Sequence, residues 1–184
     1  MDIGNILHAL KTRLNDTENR GGSDPFSKDE TETVRRIVQE LDGLEPARAR
    51  YVAAFAYLLS RVARADMNIS DSEIREMERQ VAQLSGLPGE QASLVVQIAK
   101  SQATLFGGTE NFLVTQEFNR IADLQQKLSL VECLFAVAAA DQVISSAEDR
   151  EIRLICDELL LTHEQFITAR YKFREYLGVL KAAE

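Results

Sequence analysis

The feature that most constrains this chain is an internal duplication. Eleven of the 26 positions from 59 to 84 carry the same residue 75 positions later, among them Leu59/Leu134, Ala65/Ala140, Asp66/Asp141, Ile69/Ile144, Ser70/Ser145, Glu73/Glu148 and Glu76/Glu151. A one-residue shift then aligns Glu90-Gln91 with Glu164-Gln165. Each copy is an apolar helix, a turn of the form A-D-x-x-I-S-x-x-E, and a second helix, so the chain reads as two such units related by an approximate twofold. The repeats span about 46–105 and 121–178, separated by Gly107-Gly108.

The turn accounts for most of its own residues. Ser70 and Ser145 are placed as helix N-caps, Glu73 and Glu148 close capping boxes with them, and Ile69 and Ile144 precede the caps as hydrophobic staples. Further boxes are expected at Ser27/Glu30, Ser129/Glu132 and Thr162/Gln165. Pro46 and Pro88 suit first helical positions, and Gly86 and Gly178 suit helix ends. The spacing of apolar residues predicts helices near 28–42, 46–65, 71–85, 88–105, 110–127, 130–141, 146–160 and 163–177, with scarcely any alternation of the strand type. The expected fold is all-α, a compact helical bundle of about seven to eight helices built from two pseudo-symmetric repeats. Residues 1–26 form an N-terminal helix, with Ile3, Ile6, Leu7, Leu10 and Leu14 on one face, and a Gly/Ser/Asp/Pro linker; 27–184 form the main domain. The apolar stripe of 1–15 either docks on that domain or anchors the chain to a membrane or partner.

Charge follows the repeat. The net charge is 21 − 29 = −8. Six acids against two arginines in 66–90 give −4, seven against two in 141–164 give −5, and the remainder sums to +1. This balance argues against nucleic acid and anionic lipid as main partners. Two cysteines, Cys133 and Cys156, with His8 and His163 the sole histidines, make neither a disulfide framework nor a zinc site. There is no apolar run of about 18 residues and no basic-then-apolar leader, so the expected setting is cytoplasmic.

Asp66 and Asp141 are the residues that helix formation does not explain, because a carboxylate at a helix C-terminus opposes the macrodipole. Either each accepts backbone N–H groups of its turn, or it joins neighbouring acids around a cation. The candidate metal sets are Asp66, Glu73 and Glu76, and Asp141, Glu148 and Glu151. Their oxygen-only donors suit Ca²⁺ or Mg²⁺. The seven-residue step from Asp66 to Glu73 is not a twelve-residue EF-hand loop, and Glu148-x-x-Glu151 lacks the imidazole that a di-iron bundle uses. No catalytic residue is assigned: the cysteines fall among Val131, Leu134, Ile152 and Leu159, as inert core thiols do. The apolar runs 51–65 and 133–140 are expected to form the central buried pair. Tyr171, Lys172, Phe173, Arg174 and Tyr176 mix aromatics and bases, as interfaces often do, although some of these rings should pack inward.

Ala65-Asp66-x-x-Ile69-Ser70-x-x-Glu73 and Ala140-Asp141-x-x-Ile144-Ser145-x-x-Glu148, each following a small apolar helix, resemble the tellurite-resistance protein B (TerB-like) family over roughly 45–178. The resemblance implies an all-α bundle with internal pseudo-symmetry and a non-enzymatic binding or scaffold module of bacterial tellurite and stress-resistance systems. Its acidic turns are proposed to bind metal, and its members occur in membrane-linked assemblies. A protein partner is expected, with membrane association only through a partner or residues 1–15. The other reading is a plain protein-interaction adaptor with structural turns. The family pattern often has Gly after the Asp, where this chain has Met67 and Gln142, so the turn geometry depends on what those two side chains allow.

Overall fold

A computed structural model describes residues 36–63, 71–105, 111–140 and 142–181, except 38. Helical residues at 36–37 and 39–42 lead into α1 (Pro46–Ala63), α2 (Asp71–Ser85), α3 (Gly89–Leu105), α4 (Asn111–Ile121), α5 (Leu124–Ala138), α6 (Ser146–Glu158) and α7 (His163–Tyr171). A 3₁₀ turn (Arg174–Tyr176) and the short α8 (Gly178–Lys181) follow. No strand occurs among the described residues beyond a single parallel bridge, Ile144 to Leu177. The fold is all-α.

α1 starts at Pro46, where the missing N–H costs nothing, and Glu45 Oε2 accepts from the Ala47 and Arg48 amides at 3.0 and 3.2 Å. From Tyr51 to Leu59 every side chain is buried, and so are Leu134, Phe135 and Ala136 of α5. α1 and α5 pack together at the centre, as their apolar surfaces require. α1 also packs on α3, α4 and α6; α2 lies on α3 and α5; α7 lies on α5. Aromatic rings fill both ends of this core. Phe118 meets Tyr51 at 5.4 Å and Phe55 at 6.1 Å, and Phe135 meets Phe173 at 5.7 Å and Phe166 at 6.0 Å.

The duplication reappears in element order. α1 and α5 end 75 residues apart, at Ala63 and Ala138, and α2 and α6 begin 75 residues apart, at Asp71 and Ser146. The recurrence at this spacing is confined to those two boundaries, since the other ends of the same helices are not 75 residues apart, and packing differs between the halves. α2 lies along α3, but α6 and α7 touch sparsely, through the Arg170–Asp149 ion pair at 2.8 Å and Arg153 over the Phe166 ring.

Three expected helix boundaries are corrected. α5 begins at Leu124, not near 130, because Asp123 caps it: Asp123 Oδ1 accepts from the Gln126 amide at 2.8 Å and Gln126 Oε1 accepts from the Asp123 amide at 2.9 Å. Ser129 therefore lies inside a helix, and α4 stops at Ile121. The last long helix ends at Tyr171, and Gly178 opens α8 rather than closing a helix. The boxes expected at Ser145/Glu148 and Thr162/Gln165 are present. The Ser27 and Ser70 boxes, Gly107-Gly108 and the N-terminal helix lie outside the described residues.

Candidate functional site

The second acidic turn, between α5 and α6, is where the structure gives the candidate residues a setting. Gln142 adopts φ +70°, the left-handed region that glycine enters freely, and its amide donates to Ala139 O at 2.9 Å. A side chain other than glycine thus tolerates the turn at a cost of about 1 kcal/mol. Ile144 is buried, and its backbone is bonded to the end of the chain. Its amide donates to Tyr176 O at 2.6 Å, and its carbonyl accepts from the Gly178 amide at 2.9 Å. Ser145 then caps α6: its Oγ accepts from the Glu148 amide at 3.2 Å, while Glu148 Oε2 accepts from the Ser145 amide at 2.8 Å.

Glu151, one turn further along α6, belongs to a network the sequence reading did not single out. Arg61, near the end of α1, has a side chain only 1% exposed. Its Nε donates to Glu151 Oε1 at 2.8 Å, and its Nη1 donates to Glu158 Oε2 at 2.7 Å and to Thr115 Oγ1 of α4 at 2.8 Å. Burial alone would lower the guanidinium pKa, but the bonds and charges of Glu158 and Glu151 outweigh it and leave it raised. Two acids seven residues apart on one face of α6 clamp one buried cation and join α1, α4 and α6. Arg61 Nη2 is buried without a hydrogen-bond partner among the described residues. A signal for this network was available. A lone charge in the apolar run from Tyr51 to Val62 has to find a partner when that run is buried.

Of the six candidate metal ligands, the structure describes the side chains of Glu148 and Glu151 alone. Asp66 and Asp141 lie outside the described residues, as do the side chains of Glu73 and Glu76 on α2. Glu148 spends Oε2 on the cap and Glu151 spends Oε1 on Arg61, and they stand three apart on one helix face. Among the described residues no group of three or more His, Cys, Asp or Glu is arranged to hold a metal ion.

Elsewhere, an open groove of about 680 Å³ runs between the 36–42 segment and α3, lined by Arg36, Glu40, Leu44, Gln91, Ser93 and Gln97 among others. Arg36 Nη2 donates to Gln97 Oε1 across it at 2.8 Å. Cys133 and Cys156 are buried in the core; burial raises both thiol pKa values, that of Cys156 to about 12. Such thiols are not nucleophiles at neutral pH. The aromatic cluster near the C-terminus divides: Phe166 is buried and Phe173 stacks on Phe135, whereas Tyr171 is exposed with the Arg174 guanidinium 4.5 Å from its ring centroid. Among the described residues no helix is long and apolar enough to cross a membrane.

Neither the curated proteins nor the solved structures include a significant match to this chain. A family model does match: residues 52–171, from the buried half of α1 to the end of α7, fit the family described as tellurite resistance protein TerB. The matched stretch holds both acidic turns, the Arg61 network and the α1–α5 core. With well over half of its length matched, this chain belongs to the TerB family.

Proposed function

We propose that the protein is a non-enzymatic binding or scaffold module of a bacterial tellurite or stress-resistance system, and that its acidic turns hold a divalent cation, Ca²⁺ or Mg²⁺. The observation that carries this reading is the way the second turn orients its acids. Glu148 is held by the Ser145 cap and Glu151 by buried Arg61, each through one oxygen, and the two stand three apart on one face of α6, the helix that follows the sequence turn containing Asp141. Carboxylates oriented by outer partners are a common feature of ion sites. The buried thiols favour binding over nucleophilic catalysis.

The same bonds favour a second reading, a protein-interaction adaptor whose acidic turns are structural. Glu148 has a capping task and Glu151 neutralises Arg61, and both tasks exist without an ion. On this reading the exposed Tyr171 with Arg174 is part of a surface for a protein partner.

Calorimetric titration of metal-free protein with Ca²⁺ and Mg²⁺ separates the two. The cation reading expects saturable heat and a rise in melting temperature of a few degrees at an ion concentration of about 100 Kd. No heat and an unchanged melting curve at millimolar ion leave the adaptor reading standing.

A further inference from the structure

The second acidic turn is held from outside by the end of the chain. After α7 the backbone passes through the 3₁₀ turn Arg174–Tyr176 and lies parallel to the turn at one point, where Ile144 is bonded on both sides, to Tyr176 O and from the Gly178 amide. Ile144 and Leu177 are each 1% exposed. A side chain at Gly178 would crowd this approach: a Cβ there would stand 3.1 Å from Ile144 O and 3.3 Å from Val143 Cγ1. Upstream, Gln142 sits at positive φ; downstream, Ser145 opens the capping box. The contact therefore lies between the strained residue of the turn and the first cap of α6, and among the described residues it supplies Ile144 with its backbone partners.

We propose that the segment from Arg174 to Lys181 is a strap that docks and releases as a unit, and that its docking sets the shape of the second acidic turn. Among the strap's described side chains Leu177 alone is buried, with Tyr176 and the preceding Phe173 partly buried beside it. So small an anchor makes its release far less costly than opening the α1–α5 core. When it leaves, Ile144 loses both backbone partners and its cover, and the path from Gln142 to Ser145 is freed. A ligand that binds the shaped turn strengthens strap docking, and loss of the strap weakens that ligand to the same degree. This last coupling rests on the cation reading above.

Amide hydrogen exchange on the full chain tests the strap. In the unsubstituted protein the Ile144 and Gly178 amides should share one protection factor, lower than those of Leu134 and Phe135. Gly178→Val, which crowds the Ile144 carbonyl, and Leu177→Ala, which removes the anchor, should each lower protection at both strap amides by roughly tenfold or more while α5 amides keep theirs. Persistent protection of Ile144 when Gly178 is released overturns the proposal. So does an equal fall throughout α5, or failure of both variants to fold, since the segment is then inseparable from the core. With Ca²⁺ as the probe, bound ion should raise Gly178 protection, and ion binding that leaves it unchanged overturns the coupling. If the unsubstituted protein gives no calorimetric response to Ca²⁺, the cation reading fails, whereas the exchange pattern still decides the strap.

Discussion

The two halves of the chain carry the same helix–turn–helix sequence and solve two of its problems differently. Where α2 ends, Gly86 takes φ +67°; where α6 ends, the same left-handed position is occupied by Leu160 at φ +59°, a leucine that is 78% exposed. Both are followed by a buried leucine, Leu87 or Leu161. At the second site the Leu160 amide donates to Asp157 O and the Leu161 amide to Cys156 O, the paired bonds of a Schellman ending. The bonds and the buried leucine hold the ending in place although its residue is unsuited to it. The other difference is charge. Arg61 of the first half clamps Glu151 and Glu158 of the second, while the residue 75 positions after Arg61 is Ala136. Duplicated sequence thus did not yield duplicated electrostatics: the second acidic set is tied through Glu151 to a buried cation that the first half supplies, and the second half has an alanine at the equivalent position.

The largest expected effect comes from breaking that tie. Arg61→Leu leaves Glu151 and Glu158, whose side chains are 29% and 15% exposed, without their cation, and stability measured by urea unfolding should fall by about 3 kcal/mol. Adding Glu151→Gln and Glu158→Gln to that variant should restore a substantial part. A fall of under about 0.5 kcal/mol for Arg61→Leu would reduce the network to a surface pair. Next come the helix endings, which make a reciprocal pair. Gly86→Leu has open space around its Cβ, so backbone strain alone should cost about 1 kcal/mol, and Leu160→Gly should gain about the same. Opposite signs of similar size in thermal melts would show that the two endings are conformationally equivalent. The smallest effect is expected at Gln142→Gly, a gain of about 0.5 kcal/mol, because relief of the positive φ is partly offset by unfolded-state entropy and by the lost side chain. A loss there would mean that the Gln142 side chain contributes more than its backbone strain costs.

Much of the fold was legible because its signals are local. Pro46, the Ser145/Glu148 and Thr162/Gln165 boxes and Gly86 each act within one turn, so their spacing alone places the helix ends. The start of α5 was misplaced for an equally local reason, as Ser129/Glu132 matches the box pattern but Asp123/Gln126 forms it. The candidate site was less legible. The sequence placed Glu148 in the cap that it makes, but it singled out Glu151 as an acid without saying that it meets an arginine 90 residues away.

By itself, then, the sequence determined the all-helical class, the two copies of the turn and the central apolar pair, since period, capping and turn chemistry depend on near neighbours. Only the tertiary structure decided that Arg61 reaches into the other half and that the chain end covers Ile144. Those contacts join residues 90 and 33 positions apart in the chain, and nothing in local spacing specifies which distant partner a buried charge or an unpaired backbone edge will meet.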